Sequence, residues 1–318
     1  MRRAFLFTCL LLVPSVVSAQ NIVFSDNFST STLDSATPAA PTANSTAYQV
    51  IGSKAMNPNP PTIAPGDLRY GIAATTGGGV EVQALFTTTP ITLANPGERI
   101  QLRVVFNNTL GLLNLASSMS VGLFNAGQVG PVPGGLLGNA NSSFTTAPYG
   151  YAQNWQGYFG QIANNVSSQS TRFMDRKMQT GADNRNQVTV ISGSTIYGPA
   201  NPVPVTIGSN GAQINPLALG AQYTEVLRFT RLDTGALQLE NYIYDAGNNL
   251  LGSLMATTGT TPLTYTFDAL AIGWRATANG TATTIDISSI QVEVPEPSSL
   301  ALVGLGATAL LILRRRQT

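Results

Sequence analysis

Between Tyr223 and Asp245 the chain reads YTEVLRFTRLDTGALQLENYIYD. Two stretches of alternating polarity, Thr224 to Leu232 and Ala236 to Tyr244, flank the three-residue loop Asp233-Thr234-Gly235. Glycine at the last loop position suits the left-handed residue of a type I turn with a G1 bulge. Closing the loop with Leu232 opposite Ala236 sets Arg228 against Glu240, Phe229 against Leu239 and Thr230 against Gln238. Leu227, Phe229, Leu237 and Leu239 then share one side, and Arg228, Thr230, Gln238 and Glu240 the other. A slip of one residue would mix the two sets, so the pattern specifies both a hairpin and its register.

The rest of the chain repeats this grammar of short strands and turns. Strand patterns are expected at Asn21 to Phe28, Tyr48 to Ile51, Leu68 to Ala73, Val80 to Phe86, Ile100 to Phe106, Met119 to Phe124 and Val188 to Ile191. After the hairpin come Leu250 to Leu254, Phe267 to Arg275 and Thr284 to Val292. Ser29 to Asn44 and Asn125 to Gly150 read as loops. The four prolines between Asn57 and Pro65 keep that segment out of the middle of a sheet. Tyr151 to Gln187 yields no strand assignment, but it gathers Tyr151, Trp155, Tyr158 and Phe159 among amides. No stretch of the body makes a helix of useful length. Strands of this kind bury their apolar faces by stacking two antiparallel sheets, so the expected fold is an all-β sandwich.

Composition narrows the chemistry. Only 10% of the 318 residues are charged, and the chain has no histidine and one cysteine. Residues 20–294 carry 11 Lys and Arg against 14 Asp and Glu, a net charge of −3 with no basic cluster. Nucleic acid is therefore not an expected partner. Without histidine there is no Ser-His-Asp or Cys-His arrangement and no ordinary zinc site. The remaining enzymatic option is a carboxylate pair. Its best candidates, Glu225 and Glu240, fall on opposite faces of the hairpin, and Glu240 has a simpler role as cross-strand partner of Arg228. The expectation is no enzyme, no cofactor and no metal.

The two ends carry a different message. Arg2 and Arg3, the apolar run Ala4 to Val13, Pro14 and Val17-Ser18-Ala19 have the layout of a signal peptide over residues 1–19, with cleavage between Ala19 and Gln20. Cys9 would leave with it. The body is expected over 20–293. At the other end Val294, Pro295, Glu296 and Pro297 precede an uncharged run, Ser298 to Leu313, followed by Arg314, Arg315 and Arg316. As a helix, that run would extend about 24 Å, short for a bilayer core but adequate with arginines reaching the interface. The arginines orient a transmembrane helix over 298–313 with its C-terminus in the cytoplasm.

The order of motif, span and arginines over 294–318 resembles the PEP-CTERM sorting signal of exopolysaccharide-producing Gram-negative bacteria. That resemblance implies export through the Sec machinery and a membrane-tethered intermediate. It also implies processing by an exosortase and a final place at the cell surface or in the extracellular matrix.

A second resemblance concerns the body. The opening Phe24 to Phe28, the hairpin around Tyr223, Val226 and Arg228, the segment Phe267 to Gly273 and the closing Ile285 to Val294 are similar to a concanavalin A-like jelly roll. It implies that the first and last strands share a sheet, and it makes carbohydrate binding an alternative to a purely structural role. Exopolysaccharide is the ligand in question, and Tyr151, Trp155 and Tyr158 are the expected stacking residues. The competing reading for those rings is core packing. Some jelly rolls bind calcium, but Asp183-Asn184 and Asp245 to Asn249 read as Asx turns. A glycoside hydrolase is the third and weakest alternative.

Overall fold

A computed structural model describes residues 20–29, 48–52, 62–64, 66–72, 78–110, 118–127, 135–136, 155–163, 172–177, 205–209, 217–276 and 283–295. Among them there is no helix, and eighteen strands account for the regular structure. The first nine are β1 (Gln20–Asp26), β2 (Tyr48–Gly52), β3 (Thr62–Ala64), β4 (Asp67–Ile72), β5 (Gly78–Leu85), β6 (Ile91–Thr92), β7 (Arg99–Leu110), β8 (Ser118–Asn125) and β9 (Gly135–Leu136). The rest are β10 (Gln156–Ala163), β11 (Arg172–Arg176), β12 (Val205–Ser209), β13 (Gln222–Arg231), β14 (Leu237–Asp245), β15 (Leu250–Thr257), β16 (Thr266–Phe267), β17 (Ala269–Ala276) and β18 (Thr283–Pro295).

Two eight-stranded sheets stack on each other. The first runs β15-β14-β13-β7-β18-β4-β3, and β1 also pairs with β18, so the first and last strands meet in one sheet as expected. The second runs β12-β11-β10-β8-β17-β5-β2-β9, and β16 with β6 forms a small third sheet. The described registers are antiparallel, with β2–β9 the parallel exception. Residues Ile22–Val294 form one compact unit. The other unit, Met1–Asn21 with Pro295–Thr318, falls almost wholly outside the described residues, and with it the expected signal peptide, transmembrane run and Arg314 to Arg316.

The core follows from the period of two along each strand. On β7, Ile100, Leu102, Val104 and Phe106 point inward, and Leu227, Phe229, Leu237 and Leu239 of the hairpin join them. The second sheet answers with Val80, Val82, Met119, Val121, Leu123, Leu270 and Ile272. Each such side chain contributes roughly 1.5–3 kcal/mol by leaving water. Among the described residues a polar contact crosses the sandwich: the buried Tyr70 hydroxyl donates to the Ile272 carbonyl at 3.1 Å.

The hairpin forms as its sequence requires. Arg228 faces Glu240, Phe229 faces Leu239 and Thr230 faces Gln238. The Leu232 amide donates to the Ala236 carbonyl at 2.9 Å, and Gly235 has φ of 84°, the left-handed value that glycine adopts without penalty.

The segment Tyr151 to Gln187, which carries no strand pattern in sequence, contains β10 and β11. Their register joins β8 to β10 and β10 to β11 across the second sheet. Gly157 and Gly160 interrupt β10 and weaken its strand signal, since glycine packs poorly in a strand interior. Gly160 has a reason to be small: a Cβ there would lie 2.5 Å from Nδ2 of Asn241 on the facing sheet. The strand expected at Val188 to Ile191 lies outside the described residues.

Candidate functional site

Two of the aromatic residues expected to stack on sugar, Trp155 and Tyr158, are not at the surface. Trp155 and Tyr158 are fully buried, and Tyr151 lies outside the described residues. Trp155 packs against Phe124 with ring centroids 6.0 Å apart, and its carbonyl accepts from Nε of the buried Arg176 at 3.2 Å. Tyr158 meets Phe229 edge to face at 5.8 Å, and its hydroxyl oxygen accepts the Leu263 amide. Burial pushes the Tyr158 phenol up to about 12. The physical reason is that the second sheet is buried on both faces here: Phe159, Gln83 and Glu81 of its outward side are also buried. The cluster of rings belongs to the interior.

The hairpin separates two glutamates as its register requires. Glu225 shares the inward face with Leu227 and Phe229 and is fully buried. Nδ2 of Asn241 donates to Glu225 Oε1 at 2.8 Å. Burial pushes the Glu225 carboxyl up to about 8, against the opposing effect of that hydrogen bond, so the neutral acid is the form held at neutral pH. Glu240 lies on the outward face. No carboxylate pair forms across the hairpin, and this glutamate pair has no geometry for two-carboxylate hydrolysis.

The outward face of the first sheet is organised instead as a polar row. The registers align Met255 on β15, Glu240 on β14, Arg228 on β13, Gln101 on β7 and Glu293 on β18. Arg228 Nε and Nη2 both donate to Gln101 Oε1, at 3.0 and 2.8 Å. Gln101 Nε2 donates to Glu293 Oε2 at 3.2 Å. Arg228 Nη1 stands 3.7 Å from Glu240 Oε2.

The next position along β14 is Tyr242, whose hydroxyl donates to Glu240 Oε1 at 2.7 Å. Burial, with help from Glu240, pushes that phenol up to about 12. The Arg228 guanidinium carbon lies 5.7 Å from the Tyr242 ring centroid, and the Tyr244 ring follows at 6.3 Å. Both tyrosines are half-buried, while Met255 and Leu250 beside them are 59% and 53% exposed. The sequence holds this signal, because Tyr242 and Tyr244 share the alternation of Gln238 and Glu240. It is fainter than the dense run of aromatic residues whose described members, Trp155, Tyr158 and Phe159, are buried.

Among the described residues no group of three or more Asp, Glu, His or Cys is placed to hold a metal. At Asp245 the Asn248 amide donates to the Asp245 carbonyl at 3.0 Å, closing a β-turn, and Oδ1 accepts the Asn249 amide at 2.8 Å, four residues on rather than the two of the expected Asx turn. The carboxyl of Asp245 is held below its usual range, chiefly by the Asn249 side-chain hydrogen bond.

The C-terminal motif begins on the sheet itself. β18 ends at Pro295, and half-buried Val294 packs against the core. Residues 293–316 match the PEP-CTERM protein-sorting motif. No characterised protein matches the chain in sequence. In structure the chain is similar to the carbohydrate recognition domain of Emp46p, at 8% identity over 84% of this chain and 96% of that one, with a TM-score of 0.42. It is similar to peanut lectin at 9% identity, covering 80% and 94%, with a TM-score of 0.39. Lectin II from Ulex europaeus gives 10% identity, 78% and 92% coverage and the same TM-score, 0.39.

Proposed function

We propose that this chain is a non-enzymatic surface or matrix protein, exported with a cleaved signal peptide and sorted by an exosortase. The carrying observation is the PEP-CTERM motif over 293–316, joined directly to the last strand of an all-β sandwich. The motif implies export and a membrane-anchored intermediate with exosortase as processing partner. The finer reading is that Ser298 to Leu313 spans the membrane with Arg314, Arg315 and Arg316 inside, and that processing then releases the body to the envelope exterior. Separation of Glu225 from Glu240 supports a binding or structural role over a hydrolytic one.

The test is to express the chain with a C-terminal tag in an exosortase-bearing host. Processing removes the tag and places the body at the surface or in the medium. Changing Arg314, Arg315 and Arg316 to Gln impairs retention or orientation while the purified body keeps its melting temperature. A wild-type chain that keeps its tag and stays in the membrane fraction would overturn the reading.

A further inference from the structure

We propose that the sorting motif is divided between the fold and the processing enzyme: Glu293 and Val294 belong to the sheet, and the enzyme reads the chain from Pro295 onward. The division rests on the exosortase reading above and names the part of the chain that such an enzyme can grip.

The matched motif starts at residue 293, before β18 has ended at Pro295. β18 is no loose edge. It pairs with β7, β4 and β1, and its register with β7 continues as far as the Glu293–Gln101 pair. Val292 is fully buried, Glu293 is 7% exposed, and Val294 packs against the core. Gln101 Nε2 donates to Glu293 Oε2 at 3.2 Å, and Arg228 Nε and Nη2 hold Gln101 in turn. A cleft that gripped Glu293 would have to break these contacts and lift a paired strand out of the sheet.

Pro295 marks where that hold ends. A proline nitrogen carries no hydrogen, so neither Pro295 nor Pro297 can donate to a neighbouring strand. Each also biases the residue before it, Val294 and Glu296, to extended backbone. The tripeptide therefore offers one amide hydrogen, one carboxylate and two rings, on a backbone with little freedom to lose when a cleft closes on it.

The same spacing limits the partner. Only Pro295 to Pro297 separate the sheet from the expected span at Ser298, and three extended residues reach about 10 Å. The enzyme's cleft accordingly opens close to the membrane surface and accepts a folded sheet against its rim.

The test follows loss of a C-terminal tag in the exosortase-bearing host, using variants of the full chain. Inserting Gly-Gly-Ser-Gly-Gly-Ser between Val294 and Pro295 leaves β18 intact, and tag loss proceeds at the wild-type rate or faster. Glu293→Ala with Val294→Ala keeps tag loss within twofold of wild type, while the melting temperature of the purified full chain falls by at least about 2 °C. Replacing Pro295, Glu296 and Pro297 with Ala slows tag loss at least tenfold. Slower tag loss with the insertion, or more than twofold slower loss in the folded Glu293–Val294 variant, overturns the proposal, since the enzyme would then be reading sheet-held residues. So does an unchanged melting temperature in that variant, or undiminished tag loss after the Pro295 to Pro297 replacement. A wild-type chain that keeps its tag fails the exosortase reading itself, whereas any of these outcomes with a processed wild type fails the division alone.

Discussion

Glu225 and Glu240 belong to the two strands of one hairpin, yet their chemistry diverges. Glu225 points between the sheets, fully buried, with Asn241 donating to it. Glu240 points outward into a row with Arg228 and Tyr242, where charged and phenolic partners surround it. One carboxyl is held neutral by the cost of burying charge, and the other is met by an opposite charge. The parity of a residue along its strand decides which environment it meets. In this sheet the inward face is mostly apolar and the outward face carries the polar and charged side chains.

The sharpest way to break that division is to truncate one residue on each face. Phe229→Ala removes a ring packed against Tyr158 and Phe267 at 5.8 and 5.5 Å, and about 3–5 kcal/mol of stability should be lost in chemical denaturation. Its neighbour Thr230→Ala, on the outward face, should change stability by about 0.5 kcal/mol or less. Equal losses would mean that the two faces are not distinct in energy.

A smaller effect is expected at Gly160→Ala. The new Cβ would stand 2.5 Å from Asn241 Nδ2 and push apart the Asn241–Glu225 contact, costing about 1–3 kcal/mol. A variant as stable as wild type would show that the facing sheets have room that the structure denies.

Glu225→Gln tests the neutral carboxyl through pH. The folded-state value is raised to about 8, whereas an unfolded glutamate titrates near about 4.3. Between those values the folded chain binds the additional proton. Stability from this group is therefore complete below about pH 4 and declines as pH rises through 8. The decline should amount to a few kcal/mol, because each tenfold difference in proton affinity between the folded and unfolded chain is worth about 1.4 kcal/mol. Tyr70, whose own phenol is pushed up chiefly by burial and which interacts electrostatically with Glu225, titrates above this window. Melting temperatures measured from pH 5 to 9 should slope downward in wild type and flatten in the Gln variant. Parallel slopes would place the proton elsewhere.

The smallest change belongs to Glu240→Gln. The Arg228–Glu240 contact is long, at 3.7 Å, and Gln keeps the size and an accepting oxygen of Glu240, so the change should cost about 1 kcal/mol or less. The Tyr242 phenol, now about 12 chiefly through burial, should move down in an ultraviolet titration by the share that Glu240 contributes. An unmoved tyrosine titration would detach Tyr242 from the row.

Legibility in the sequence tracked local constraint. The hairpin was readable to the residue because a glycine-closed loop and two alternating strands agree on one register. The pairing of first and last strands followed from the jelly-roll resemblance, and the sorting motif from three features in fixed order. β10 was not readable: glycines at 157 and 160 answer to neighbours on other strands and on the facing sheet, which no local pattern shows. The misplacement of Trp155 and Tyr158 has the same origin. Aromatic density gives no information about whether a sheet is covered on one side or two, while the parity of Tyr242 and Tyr244 already implied an outward position.

The position of β18 has a bearing on timing. The strand lies between β7 and β4, also pairs with β1, and ends at Pro295 within the sorting motif. A chain threaded across a membrane from its N-terminus delivers this strand last among those of the sandwich. Until it arrives, β7 and β4 lack their shared neighbour, and the first sheet stays in two parts. The event that completes the sheet is thus the same event that brings the sorting motif to the membrane. A molecule whose tail has reached its processing enzyme has, by the order of its own sequence, already exported every strand it needs to fold.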